Sequence, residues 1–235
     1  MRKIVIALDG YSACGKSSTA KVLAKRLGYT YLDTGAMYRA VTYYFLQNNV
    51  SLTNPREVDR ALEHIDITFQ PDPKTGENHT FLNGLNIEDA IRKPEISDQV
   101  SEVSAIKAVR VAMVAQQRKM GKKKGVVMDG RDIGTVVFPD AELKIFMTAD
   151  VNVRAARRQQ ELLDRGQLVP LDEVKAKLEK RDHIDTTRDE SPLRKAPDAF
   201  VIDTSHVIFE EQVEEILHLA TSKMIEQHQL AKQSL

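Results

Sequence analysis

Tryptophan is absent from this chain of 235 residues, and cysteine occurs once, at Cys14. A lone thiol excludes an internal disulfide framework and a multi-cysteine zinc site. Net charge is absent as well, because 34 lysines and arginines balance 34 aspartates and glutamates. That balance removes the bulk electrostatic argument for a protein that coats duplex nucleic acid or an anionic membrane surface. No run of about 18 apolar residues is present, so no segment reads as a bilayer-spanning helix. The histidines fall at no paired metal-ligand spacing with cysteine or carboxylate, which argues against a zinc site. Glycine and proline are neither rich nor periodic, which excludes collagen-like and wholly disordered chains. There is no internal repeat and no long low-complexity segment. Met1-Arg2-Lys3 runs straight into Ile4, leaving no room for a signal-peptide hydrophobic region, so a cytoplasmic protein is expected.

What is present follows the pattern of an α/β fold. Residues 3–8 form a short apolar run ending at Asp9-Gly10, which reads as a strand buried on both faces. Residues 17–27 carry Ala20, Leu23, Ala24 and Leu27 at helical spacing, and Gly28 stops them. Residues 29–33 read as a second strand and 37–47 as a second helix. This alternation predicts parallel strands joined by right-handed crossovers. Residues 51–91 change character: a short helix at 56–64, then strands at 65–69, 79–82 and 85–87, the last two joined by Asn83-Gly84, a strong hairpin signal. Residues 94–120 read as one long helix. The basic run Lys122-Lys123-Lys124 suits a helix C-terminus on a solvated face. Core strands return at 125–129, 143–147 and 199–203. A charged helical stretch at 152–188 is interrupted near Gly166 and Pro170, residues 211–229 form an amphipathic last helix, and 231–235 are expected to fray.

The segment Gly10-Tyr11-Ser12-Ala13-Cys14-Gly15-Lys16-Ser17 fits the phosphate-loop pattern G-x-x-x-x-G-K-S/T, between a strand and a helix. Glycines let backbone N–H groups curl around phosphate oxygens, and the helix N-terminus adds its partial positive charge. Lys16 can reach the β- and γ-phosphates, and the Ser17 hydroxyl can face Mg²⁺. Cys14, one residue before Gly15, is either a reachable thiol or the packed occupant of a small-residue position.

Three more segments bear on the class. Leu32-Asp33-Thr34-Gly35-Ala36-Met37-Tyr38-Arg39 puts a hydroxyl, a glycine and an arginine at a helix start, which can hold a second phosphate or can simply be a helix capped by Thr34 or Asp33. Asp129-Gly130-Arg131-Asp132 leaves the end of a core strand, where α/β proteins place ligands, and runs on to Ala141. Arg181-Asp182-His183-Ile184-Asp185 with Arg188 sets cations and carboxylates on adjacent helical turns, which would also suit a solvated, salt-bridged face.

In order and spacing these segments, with Leu82-Asn83-Gly84 and Ile91-Arg92, resemble the bacterial cytidylate kinases over about residues 3–225. The resemblance implies a nucleoside-monophosphate kinase fold: a five-stranded parallel sheet flanked by helices, with a small antiparallel insert and a short lid. It implies a core of residues 1–40, 94–151 and 189–235, a monophosphate-binding insert at 41–93 and a lid at 152–188. It implies transfer of the γ-phosphoryl group of ATP, with Mg²⁺, to CMP or dCMP, by a monomer with no nucleic-acid or membrane partner. Lys16, Asp129, Arg131 and Arg181 look like the catalytic group. Residues Gly10, Tyr11, Ser12, Ala13, Cys14, Gly15, Lys16, Ser17 and Ser18 resemble the ATP-binding loop, with Ser17 toward the metal. Arg154, Arg157 and Arg158 match lid arginines near ATP. Thr34, Tyr38, Arg39, Arg131 and Arg181 look like the set holding the CMP phosphate. Ser101, Arg110, Asp132 and Arg188 resemble the cytosine contacts, and Asp185 the ribose contact.

The chemistry agrees with these roles. Cytosine and uracil differ at the 4-position, an amino donor against a carbonyl acceptor, and a carboxylate accepts from the first and repels the second. Departures from the family pattern are Tyr11 in place of proline, Ala13-Cys14 in place of glycine and alanine, and Ile184 where an arginine often stands. Two other classes keep the loop. A nucleotide-switched RNA-binding protein sits poorly with zero net charge, and a shikimate or dephospho-coenzyme A kinase has no need of Asp129-Gly130-Arg131-Asp132 beside Arg181 and Asp185.

Overall fold

The computed structural model describes residues 2–233. Five parallel strands form the central sheet: β1 (Val5–Gly10), β2 (Thr30–Asp33), β6 (Val126–Gly130), β7 (Leu143–Thr148) and β8 (Phe200–Asp203), in the order β2-β6-β1-β7-β8. β1 lies at the centre, and every one of its residues is buried. The apolar side chains of β1, with Ile4 just before it, alternate between two layers. Ile4, Ile6 and Leu8 pack with α1 (Lys16–Leu27) and α8 (Phe209–Gln233), while Val5 and Ala7 face Val114 of α5 (Lys107–Gly121). Burial on both faces explains why the strand reads as a continuous apolar run rather than an alternating one.

Between β2 and β6 the chain builds a third apolar cluster. α2 (Thr34–Gln47), α3 (Pro55–Glu63) and α4 (Pro94–Ala105) pack with α5 against a separate antiparallel sheet. That sheet comprises β3 (Ile67–Pro71), β4 (Asn78–Leu82) and β5 (Leu85–Asn86), in the order β3-β4-β5. Asn83 and Gly84 both have positive φ, 51° and 81°, the type I′ signature that matches hairpin twist. The remaining helices, α6 (Val151–Asp164) and α7 (Leu171–Thr187), precede β8. Among the described residues no helix is long and apolar enough to cross a membrane.

Two sequence expectations change, and one element is new. The helix expected over 94–120 is two helices, because Ile106 is extended (φ −68°, ψ 122°). The buried guanidinium of Arg110 donates to the Ser104 carbonyl (3.1 Å), which the break leaves without its helical partner. Val103 before the break and Val109 and Met113 after it share one core cluster, so the apolar period runs on and hides the interruption. Residues 133–137, for which no element was expected, form a π-helical turn (Ile133–Val137). Ala231 to Gln233 belong to α8 rather than fraying, in keeping with the helix propensity of Ala231, Lys232 and Gln233. Ser234 and Leu235 lie outside the described residues.

Candidate active site

The site grows from the carboxyl ends of β1, β2 and β6. Gly10 closes β1 at φ 147°, and a Cβ there would lie 2.0 Å from the Met147 carbonyl oxygen of the neighbouring strand. Only glycine lets the loop leave the sheet at this point. Ala13 takes a left-handed conformation (φ 60°), and Gly15 caps α1 at φ 90°. Gly15 brings no side chain to the first-turn N–H groups of α1, and no acid stands in that turn, so the donors and the positive helix end are left to the loop.

Lys16 is folded back and buried. Its ammonium donates to the Tyr11 carbonyl and contacts Cys14 Sγ at 3.5 Å. Burial, with Arg131 as a like charge nearby, pushes its pKa below the ordinary lysine value. Ser17 Oγ donates to Asp129 Oδ2 (2.7 Å), and Tyr31 donates to the other oxygen (2.9 Å). Burial and then the Asp33 charge hold the Asp129 carboxyl above its usual range. Cys14 is wholly buried, its thiol directed at the carbonyls of Tyr11 (3.0 Å) and Met147 (3.4 Å).

A second group sits across from the loop. Asp33 is the N-cap of α2, accepting from Ala36 N (2.8 Å), so the capping alternative for this segment is correct in its own right. Asp33 also accepts from Arg39 (2.9 Å) and Arg92 (3.2 Å). Burial opposes its charge, yet the two guanidinium groups outweigh it and hold the carboxyl at about 2. Thr34 donates to the Asp129 carbonyl (2.7 Å). Asp185 gathers three arginines, with Arg131 at 2.7 Å, Arg188 at 3.1 Å and Arg181 at 4.0 Å. Burial and the like charge of Arg131 push Arg181 down to about 10. Arg39 Nε and Arg181 Nε are buried donors that make no hydrogen bond within the protein. Cations in excess of carboxylates, with unspent donors among them, suit a phosphate group.

The third group is a buried pair. Arg110 donates to Asp132 at 2.6 Å, both side chains are under 5% exposed, and the guanidinium lies 5.2 Å over the Tyr38 ring. Burial, with the Asp132 charge, pushes the Tyr38 hydroxyl up to about 12. Ser101 joins this group only through its carbonyl, which accepts from Ser104 Oγ (3.0 Å).

The α6 arginines diverge, and each has a partner within the protein. Arg154 binds Asp182 (2.6 Å), donates to the Ser12 carbonyl (3.3 Å) and lies 5.1 Å over the Tyr11 ring. Arg157 turns to Thr204, whose hydroxyl donates to the Cys14 carbonyl. Arg158 turns outward to Glu161 (2.9 Å). Sequence reasoning overlooked Tyr31, Arg92, Thr204 and Asp9. Arg92 stood in one of the family-like segments without a role, and Asp9 had a signal of its own, an acid closing an otherwise apolar strand.

A parallel sheet with a phosphate loop after its first strand, and arginines clustered on Asp33 and Asp185 beside it, is the architecture of a phosphate-loop kinase. The comparisons narrow the class. The family described as cytidylate kinase matches residues 6–222. The cytidylate kinase of Cytophaga hutchinsonii is 60% identical over 96% of this chain and 97% of its own. That of Bacteroides fragilis is 54% identical over 91% and 95%. The chain belongs to the cytidylate kinase family. A solved structure of an uncharacterized protein from Eubacterium ventriosum shares the fold, with a TM-score of 0.52 at 13% identity over 94% of this chain and 99% of that one.

Proposed function

We propose that the chain transfers the γ-phosphoryl group of ATP to CMP or dCMP, giving ADP and CDP or dCDP, within pyrimidine nucleotide metabolism. The observation that carries this reading is the Asp132–Arg110 pair, a buried carboxylate acceptor beside the arginine cluster of Asp185. Membership of the cytidylate kinase family supports it. Asp132 accepts from the cytosine amino group and repels the uracil carbonyl, while Ser101, Arg110 and Arg188 frame the base and Asp185 the ribose. Thr34, Tyr38, Arg39, Arg131 and Arg181 take the monophosphate. Residues 10–18 cradle ATP, with Arg154 the α6 cation nearest the loop and Arg157 and Arg158 available on rearrangement.

Phosphoryl transfer needs little covalent help from protein groups. It needs two anions held in line, their charge neutralised and water excluded. Lys16 and Arg131 supply cations to the transferring group. Among the described residues no cluster of three His, Cys, Asp or Glu could hold a metal. Ser17 and Asp129, already joined, would therefore receive Mg²⁺ together with phosphate oxygens, and the ion would supply further charge neutralisation.

The insert at 41–93 and the lid at 152–188 close on this core when both substrates bind. Hydrogen exchange in 152–188 that ignores both ligands would argue against the lid. The protein acts as a cytoplasmic monomer; a stable dimer by sedimentation, or a membrane fraction holding the chain, would contradict that part.

An ADP-release assay with CMP, dCMP, UMP, AMP and shikimate tests the whole reading. CMP and dCMP should give the highest kcat/KM, and turnover of shikimate alone would overturn it. In Asp132→Asn the CMP-over-UMP preference should shrink by roughly 1–3 kcal/mol. An unchanged ratio with lowered activity would place Asp132 in architecture rather than base reading.

A further inference from the structure

Asp9 lies outside all the groups assigned above, yet it is among the most buried charged residues of the core, at 4% exposure. Its carboxylate accepts from two successive amides, Ile133 N to Oδ1 and Gly134 N to Oδ2, each at 2.7 Å. These amides open the π-helical turn that follows Asp132 directly. Asp132 itself sits at φ −145°, ψ 25°, away from the common backbone wells, and its carbonyl accepts from Val136 (2.9 Å) and Val137 (3.1 Å). The far end of the turn is clasped by Arg118, which donates to the carbonyls of Val136 (2.7 Å) and Val137 (3.1 Å). Beyond it, Lys144 donates to the Pro139 carbonyl and pairs with Asp198.

A π-helical turn has poorer geometry than an α-helical one and persists where its surroundings hold it. Here a carboxylate holds the N–H end and a guanidinium the carbonyl end, each matching the turn's dipole. The peptide units fixed by Asp9 are the two that follow Asp132, so they set the direction in which that side chain leaves the backbone. That direction brings it onto Arg110 at 2.6 Å.

We propose that Asp9 is a positioning residue for base selection, fixing through the 133–137 turn the orientation in which Asp132 meets the pyrimidine. The proposal rests on the reading of Asp132 as the base acceptor. It gives the residue next to Gly10 of the phosphate loop a task on the monophosphate side of the site. Two other roles are open to Asp9. If it only satisfies buried amides, its loss lowers stability and leaves the folded enzyme's constants alone. If it shapes the loop through Gly10, its loss raises KM for ATP.

Asp9→Asn keeps one acceptor oxygen and turns an NH₂ group toward the other amide. The CMP-over-UMP ratio of kcat/KM should fall about five- to tenfold, the effect of one misplaced hydrogen bond. KM for CMP should rise by a similar factor, while KM for ATP stays within about twofold, as expected of separable sites. An unchanged base ratio, or a rise confined to KM for ATP, overturns the proposal. Should Asp9→Asn fail to fold, Arg118→Gln at the exposed far end of the turn carries the test, with a smaller fall in the same ratio expected and an unchanged ratio overturning it. Asp132→Asn, measured beside them, separates this inference from its basis. If Asp132→Asn shifts the ratio and Asp9→Asn does not, the positioning role is wrong and the base reading stands. If neither shifts it, the base reading is wrong and this proposal falls with it.

Discussion

Lys16 shows how much a single residue changes once its surroundings are known. A loop lysine is expected to bury little, yet this one is 5% exposed, with its ammonium on the Tyr11 carbonyl. Its charge and its stem therefore make separate contributions. Lys16→Met keeps the stem and should remove about 3–5 kcal/mol of transition-state stabilisation with little change in melting temperature. Lys16→Ala should lower the melting temperature as well, because it also empties the space. Turnover and a melting curve on both variants check this, and near-normal turnover in Lys16→Met would sink the catalytic role. Cys14 is the companion case. Its thiol is wholly buried against two carbonyls, which favours the packed reading over the reachable one. A thiol reagent followed by mass spectrometry should find it unmodified in the native protein, with or without ATP. Rapid labelling that ATP suppresses would mean that the loop opens.

At the scale of elements, the contact between α5 and the 133–137 turn is close enough to exclude a methyl group. A Cβ on Gly121 would lie 2.3 Å from Phe138 Cζ, the residue that ends the turn. Gly121→Ala should cost about 1–3 kcal/mol by overpacking, read as a lower denaturant midpoint. No change there would show that Phe138 moves aside freely. By contrast, α6 and α7 share a small apolar cluster of Ala155, Val174 and Leu178. They meet the phosphate loop through Ala13, which packs on that cluster, through Arg154 on Ser12 and Tyr11, and through Arg157 on Thr204, which donates to Cys14. An element with so small an apolar anchor, held otherwise by polar contacts such as Asp185 on Arg131, is a natural one to move during a catalytic cycle.

At the scale of the whole molecule, two buried carboxylates tilt stability with pH in opposite directions. Burial raises the Asp9 carboxyl to about 7, only partly offset by the amides of Gly134 and Ile133, with Asp132 adding to the rise and Lys16 opposing it. Asp9 thus binds its proton more tightly in the folded state. Its effect is a loss of stability as pH rises from 3.8 toward about 7, complete above that. Asp33, held at about 2, contributes stability that is fully present above 3.8 and lost as pH falls through about 2. The denaturant midpoint of Asp9→Asn relative to wild type should therefore rise between about pH 5 and about pH 8. A difference that stays constant with pH would mean that Asp9 is ionised throughout.

The sequence by itself determined the sheet, the phosphate loop and the family. Each rests on short-range pattern: apolar runs such as residues 3–8, glycines where φ must be positive, and motif residues kept at fixed spacing beside strand ends. The Asn83-Gly84 hairpin was legible for the same reason, since two adjacent residues carry the whole signal. Only the tertiary structure decided the rest. The break at Ile106 leaves the Ser104 carbonyl to Arg110, while the apolar period runs across it unbroken. The partners of Arg154, Arg157 and Asp33 lie 28, 47 and 59 residues away in the chain, at Asp182, Thr204 and Arg92. Asp9 acquires its meaning from amides 124 and 125 residues distant. Local spacing fixes which backbone can form, but a buried charge finds its partner wherever the fold excludes water, and separation along the chain does not limit that choice.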